Sequence, residues 1–385
     1  MPKQTLADRL AAIAASRTLR YVQVFMLKHH KLGATSSERA DLTVPRVEPG
    51  DSASRVYGGK HAYRKRWKKY ARPLSSTLSP TERARAIMRT KTALLGRALA
   101  AAKKTSVALD TLPVLVCPED YWDDNSELTP DAAIPQDIVF SVFRTDVAAL
   151  SKQYPEFLIL PGSVTASAPA DARDPTVYKQ ENSKYSIANK KLKTYMQNCA
   201  PVFYGGVWLR YNCKAEYGED YLDGQVFMGR RDFPFAPAEQ RFAGRTVEEA
   251  VEPWRAAPAR TVAAPDLFDS HVFTVHGYRI AEEICRDHRE VDLSGYDAYD
   301  VETKPLHVHV VVSETVARNE DNLHLKEGGC FVHCDGSKAQ RPEDMVMNIE
   351  DGEARGATEV REVDLVAPGV GLRLLVFPRI SMPAK

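Results

Sequence analysis

The chain has 385 residues, 44% apolar, 27% charged and 9% aromatic, with 24 Pro and 21 Gly, a composition that excludes disorder throughout. Lys and Arg number 52 against 51 Asp and Glu, for a net charge of +1, which excludes a molecule-wide field that would gather nucleic acid or anionic membrane. The length allows two or three domains, or one large α/β domain with extensions.

Six cysteines, at 117, 199, 213, 285, 330 and 334, form no CxxC and no dense framework, so a reducing compartment is expected. The opening residues carry Asp8 and Arg9 before any apolar run and do not read as a signal peptide. No apolar stretch reaches the roughly 20 residues of a membrane span. A soluble, cytoplasmic protein is the expectation.

In chain order, Leu6, Leu10, Ile13 and Leu19 keep helical spacing, and the apolar patch Tyr21 to Leu27 reads as a strand or a further helical turn. Residues 33–78 shift to Ser, Gly, Pro and charge, so residues 1–78 are taken as an N-terminal extension and residues 79–385 as the domain. Ser79-Pro-Thr-Glu82 predicts a capped helix start, and the alanine-rich run behind it a helix to Lys104. Thr111 to Glu119 predicts a buried strand, residues 135–153 a helix, and Glu156 to Gly162 the next buried strand; two helix–strand units in a row imply a layered α/β sheet. Residues 166–197 read as polar and interrupted. Val202–Lys214 and Gly224–Met228 read as strands of an edge or hairpin, and about 229–269 as an inserted excursion rich in Pro, Ala and Arg with one short helix near 247–250. His271–Ile284, Leu306–Ser313, Cys330–Cys334 and Leu372–Pro378 supply late strands.

Three reactive side chains stand at strand ends. Cys285 follows an apolar run that breaks into Arg286-Asp287-His288, Glu119 is the first charged residue after the strand Val114-Leu-Val-Cys-Pro, and Lys214 ends the run from Gly206. A thiol, a carboxylate and an ammonium in one pocket would supply nucleophile, base and oxyanion partner. Taken singly, each has a plain alternative: a buried structural thiol, a solvated carboxylate and a surface lysine.

In context these segments resemble the carbon–nitrogen hydrolases of the nitrilase-like superfamily, which carry a Glu–Lys–Cys triad in that chain order. The resemblance runs over roughly residues 80–380 and rests on Val114–Glu119, Leu158-Ile-Leu-Pro-Gly-Ser163, Asn198-Cys-Ala-Pro-Val with Gly206–Lys214, Phe268–Asp287 and Gly328–Gly336. It departs from the family in the long gap between Lys214 and Cys285 and in residues 1–78. The resemblance implies a four-layer α-β-β-α sandwich, a homodimer, and a cysteine-dependent cleavage of a non-peptide C–N bond. Glu119 would take the Cys285 proton, and Lys214 with the Arg286 backbone N–H would hold the developing oxyanion. Glu216 or Glu219 would be the family's second carboxylate. Arg286, Asp287 and His288, beside the cysteine, are candidates to contact substrate, with orientation of the turn as the alternative role. Arg286-Asp287 stands where nitrile-cleaving members tend to have Trp-Glu, which favours a small-molecule amide or carbamoyl substrate over a nitrile; acyl transfer on the same triad is the other alternative.

No cofactor is called for. His307, His309, His324 and His333 with Cys330 and Cys334 invite a metal reading, but no spacing matches a structural zinc site, and core or interface histidines are expected. Residues 60–72 hold seven Lys or Arg around Tyr63, Trp67 and Tyr70. A solvated face is the ordinary reading, with nucleic-acid phosphate or membrane contact as rivals, so a nucleic-acid-binding protein or a non-catalytic binding module is the alternative of another class.

Overall fold

The computed structural model describes residues 18–28, 79–105, 107–119, 121–122, 134–169, 194–214, 271–290, 293, 300–313, 316–336, 342–365 and 373–384. The basic segment 60–72, the excursion 229–269, Gly224–Met228, Glu216 and Glu219 lie outside them.

The first sheet is built from β1 (Tyr21–Lys28), β2 (Thr111–Val116), β3 (Ile134–Pro135), β4 (Leu158–Leu160), β5 (Val164–Pro169), β6 (Thr194–Tyr204) and β7 (Val207–Cys213), joined late in the chain by β14 (Arg361–Asp364) and β15 (Arg373–Ser381). Its order is β14-β15-β1-β2-β4-β6-β5-β3, with β7 paired to β6. The second sheet runs β13 (Glu353–Gly356), β12 (Val346–Glu350), β11 (Leu325–Asp335), β10 (Leu306–Ser313), β9 (Tyr278–Ile284), β8 (Val272–Val275). Its central strands β9, β10 and β11 are mutually parallel, and the Val-rich β10 between the other two is buried along its whole length, as a strand covered on both faces must be.

One apolar layer lies between the sheets. Val22, Val24, Val114, Val116, Leu158 and Leu160 of the first pack with Ile280, Ile284, Val308, Val310, Val312 and Val332 of the second. The first sheet's other face is covered by α1 (Pro80–Lys104) and by α2 (Gln136–Val142), which runs through a π turn at Phe143–Val147 into α3 (Ala148–Gln153). The α1 start is the expected capping box: the Ser79 hydroxyl accepts from the Glu82 N–H at 3.3 Å, and Glu82 Oε2 accepts from the Ser79 N–H at 2.8 Å. Among the described residues the second sheet's outer face is covered by the one-turn α4 (Arg286–Glu290) and by Leu293, Val301 and Leu323. The architecture is therefore mixed α/β in three described layers. No described helix is long and apolar enough to cross a membrane.

Two expectations change. Tyr21–Lys28, grouped by sequence with the extension, is a strand inside the sheet, antiparallel to β15 and parallel to β2. Its alternation brings Val22, Val24 and Met26 into the inter-sheet layer and Phe25 and Leu27 under the helices, so both faces are needed in the core. Residues 166–197, read as polar and interrupted, contain most of β5 and the start of β6, paired antiparallel from Ala166–Gln197 to Pro169–Thr194.

Candidate active site

β2 ends at Val116 and the chain turns through Cys117 and Pro118, leaving Glu119 with 5% of its surface exposed. The hairpin β6–β7 closes on Gly205-Gly206, both at positive φ (62° and 78°), the backbone of a two-residue type I′ turn. The register shifts once, between Val202 and Phe203, and beyond that irregularity Cys199 faces Cys213, so that Lys214 leaves β7 with its N–H donating to the Asn198 carbonyl at 2.9 Å. Lys214 is buried, and its Nζ donates to Glu119 Oε1 at 2.6 Å. Asn198 Nδ2 donates to the same oxygen at 3.0 Å. Burial works against the lysine's charge, but the Glu119 carboxylate, with Cys285 and Asp287 also near, overrides it and holds the ammonium above the ordinary lysine range.

Cys285 is the residue at which β9 gives way to α4. Its φ is +51°, a left-handed conformation that costs a side-chain-bearing residue roughly 1–2 kcal/mol and is found where surrounding structure over-determines it, commonly at functional sites. Two hydrogen bonds hold the turn: the Cys285 N–H donates to the Val312 carbonyl at 2.7 Å, and its carbonyl accepts from the His288 N–H at 3.1 Å. Cys285 retains 8% exposure, whereas Cys117, Cys199 and Cys330 have none and Cys334 has 1%. Burial pushes the thiols of Cys117, Cys330 and Cys334 well up, Cys330 to about 12. Those three are therefore core groups and poor nucleophiles.

Glu119, Lys214 and Cys285 thus come from the ends of β2, β7 and β9 to one place, with the carboxylate and ammonium in direct contact. Asp287 is buried close enough to act on Lys214. The Arg286 backbone opens α4.

His288, expected at the substrate, is turned away from it. The ring is fully buried; Nδ1 lies 2.8 Å from Glu283 Oε2, and Nε2 accepts from the Asn319 N–H at 3.0 Å. Both nitrogens are occupied inside the protein, and burial lowers the ring's pKa.

Glu283 is the hub of this outer-face cluster. Its carboxylate also meets His309 Nε2 at 2.8 Å and accepts from Asn322 Nδ2 at 3.1 Å. Glu283, His288 and His309 present ligand-type atoms within 4.8 Å of one another, but the protons do not suit a metal. Asn319 donates to His288 Nε2, so His288 carries its proton on Nδ1, the atom a cation would need. The cluster is a buried carboxylate–imidazole hydrogen-bond network instead. The His and Cys set suggested by sequence divides between faces: Cys330 and Cys334 point into the inter-sheet layer, while His309 and His333 surround Phe331 on the other face.

Sequence reasoning passed over Asn212, Glu282, Glu283 and Asn322, and took His309 only as a core or interface histidine. The available signal was Glu282-Glu283 inside an apolar strand: alternation sends one carboxylate to each face, and a strand buried on both faces must partner both.

The fold and these residues define an α/β protein of two facing sheets with a buried carboxylate–ammonium pair beside a strand-end cysteine. Among solved structures the chain is similar to an amidase from Nesterenkonia sp., at 11% identity and TM-score 0.40, covering 95% of this chain and 91% of that one. A mutant of the Nesterenkonia AN1 amidase from the nitrilase superfamily gives 11% identity and TM-score 0.42, covering 94% and 90%. A glutamine-dependent NAD(+) synthetase from Cytophaga hutchinsonii gives 13% identity and TM-score 0.39, covering 76% of this chain; this chain spans 40% of the synthetase's length. No protein-family model and no curated protein matches. At these TM-scores the likenesses carry none of the chemistry, which rests on the residues.

Proposed function

We propose that the protein is a cysteine-dependent hydrolase of a non-peptide C–N bond, an amide or carbamoyl group, acting through a thioester on Cys285. The observation that carries this reading is the buried Lys214–Glu119 contact of 2.6 Å beside a cysteine at a left-handed strand-to-helix turn. An ionised carboxylate in that position is a base, and a fixed ammonium held in a dry site is an electrostatic partner for developing negative charge.

Glu119 takes the proton from Cys285 Sγ, and the thiolate attacks the carbonyl carbon. The oxyanion so formed is met by Lys214 Nζ and the Arg286 backbone N–H. The C–N bond breaks as Glu119 returns the proton to the leaving nitrogen, releasing ammonia or an amine. Water, losing a proton to Glu119, then adds to the thioester; the thiolate is expelled and takes that proton back from Glu119, which frees the carboxylic acid and restores the Cys285 thiol and the Glu119 carboxylate. The same reading carries the four-layer α-β-β-α arrangement, with its last layer over the second sheet's outer face, and a homodimer.

The test is ammonia release from a panel of amides, carbamoyl amino acids and nitriles, for wild type and Cys285→Ala. Release from amides or carbamoyl compounds, lost in the variant, is the expected result. Release unchanged in the variant removes Cys285 as nucleophile, and turnover of nitriles alone overturns the amide assignment.

A further inference from the structure

Glu282 is buried without measurable exposure between the sheets, at the position on β9 three residues before Cys285. Tyr278, Ile280 and Ile284, its same-face neighbours, belong to the inter-sheet apolar layer, so the carboxyl group points into hydrocarbon. There Glu282 Oε2 accepts from Asn212 Nδ2 at 2.7 Å, and Oε1 has no hydrogen-bond partner among the described residues. Asn212 lies on β7 two residues before Lys214, about 6.6 Å along the strand and on the same face. One buried hydrogen bond therefore joins the strand that delivers Lys214 to the strand that delivers Cys285, one step below both.

We propose that Asn212 and Glu282 are positioning residues whose inter-sheet hydrogen bond sets the distance between the Lys214 ammonium and the Cys285 sulfur. Apolar contacts in this layer are non-directional and tolerate small slips of one sheet over the other. A hydrogen bond is directional, and breaking one here strands a buried polar group at a cost of about 1–3 kcal/mol, which selects one offset. Stability alone does not require the bridge, because a well-packed apolar pair in place of two buried polar partners is often neutral or stabilising.

Glu282 fits the role in its neutral form. Burial pushes its carboxyl up to about 8, with the Asn212 hydrogen bond pulling the other way, so at neutral pH it adds no charge beside the Lys214–Glu119 pair. The titratable groups of the surrounding elements include Tyr278 on β9, Cys330 and Cys334 on β11, Lys214 after β7, Glu119 after β2, Cys285 and Asp287 after β9, and His271 before β8, whose Nδ1 is 2.8 Å from the Glu282 carbonyl oxygen.

The role of Cys285 here rests on the hydrolase reading, but the test needs no amide substrate. It is the pH profile of Cys285 labelling by iodoacetamide, read by peptide mass spectrometry, with chemical denaturation alongside. Because a nearby ammonium stabilises the thiolate, displacing Lys214 raises the pH at which labelling reaches half its maximum. Glu282→Gln keeps an acceptor for Asn212 and should retain the wild-type midpoint. Glu282→Leu and Asn212→Leu should raise it by about one pH unit, slowing labelling about tenfold at neutral pH. The double variant Asn212→Leu/Glu282→Leu, with no polar group stranded, should fold as stably as wild type and show the same upward shift. A merely structural role predicts a normal midpoint in that double variant, and this result would overturn the proposal. Failure of the wild type to release ammonia would sink the hydrolase reading instead, and would not move the labelling midpoint.

Discussion

A Cβ placed on Gly162 would stand 2.1 Å from the Pro118 carbonyl oxygen and 2.8 Å from Tyr121 Cβ. The chain leaving β4 therefore lies directly against the turn that carries Glu119, and it does so at φ +74°, which only glycine adopts without strain. Gly162→Ala should destabilise the protein by about 2–3 kcal/mol, combining a left-handed penalty with a backbone clash. The same push displaces Glu119, so ammonia release from a substrate amide should fall more than stability explains. Unchanged urea denaturation and turnover would mean that this contact does not position Glu119.

The Lys214–Glu119 contact changes what substitution at either residue should do. A lysine at a strand end is an ordinary surface charge by sequence, and Lys214→Ala would then fold normally. With both side chains 3% exposed, removing the ammonium leaves a buried carboxylate without its counter-charge, at a cost of about 3–5 kcal/mol. Lys214→Met should show that loss in denaturation, together with a fall in kcat of at least about 10²-fold. Glu119→Gln/Lys214→Met should recover most of the stability and none of the activity. Recovery of activity in the double variant would show that the pair is structural.

The cysteines give a measurement independent of any substrate. Iodoacetamide on the native protein should modify Cys285 and leave Cys117, Cys199, Cys330 and Cys334 intact until denaturant is added, because those four sulfurs sit in the core with at most 1% of the residue exposed and a buried structural cysteine is inert. Fast native labelling of Cys330, whose thiol burial pushes up to about 12, would contradict the packing described for β11.

Much of this was legible in the sequence, for identifiable reasons. Capping at Ser79–Glu82, apolar runs such as Leu306–Ser313 and charged residues at strand ends are local signals, and they marked α1, β10 and the places of Glu119, Lys214 and Cys285. What was not legible depends on pairing across the chain. β1 becomes a strand because β15, more than 340 residues later, lies antiparallel to it, with Gln23 Nε2 donating to the Phe377 carbonyl at 3.0 Å. His288 looks like a site residue because it is three positions from Cys285, and only the approach of Glu283 and Asn319 shows both ring nitrogens held inside the protein.

Glu282 and Glu283, adjacent on β9, should give pH effects of opposite sign. Glu282 is raised in the folded state to about 8, so between the ordinary glutamate value of about 4.3 and that value the folded chain holds a proton that the unfolded chain has lost. Its contribution is complete below the lower limit and declines by about 1.4 kcal/mol per pH unit as pH rises through the window. Burial alone would raise Glu283 as well, but hydrogen bonds from His288 and His309 reverse this and hold it at about 2. Its stabilisation is therefore present above about 4.3 and is lost as pH falls towards the folded-state value. Denaturation midpoints measured across the acid and neutral range should fall away on both sides. Glu282→Gln should flatten the neutral limb and leave the acid limb, and Glu283→Gln the reverse. With its amide oxygen in the place of Glu283 Oε2, which both His288 Nδ1 and His309 Nε2 contact, the second substitution keeps the shared acceptor, so it should fold while losing the acid-sensitive term. If Glu282→Gln kept the wild-type slope on the neutral limb, the carboxyl between the sheets would have to be ionised at neutral pH, and its bond to Asn212 would be that of a buried anion.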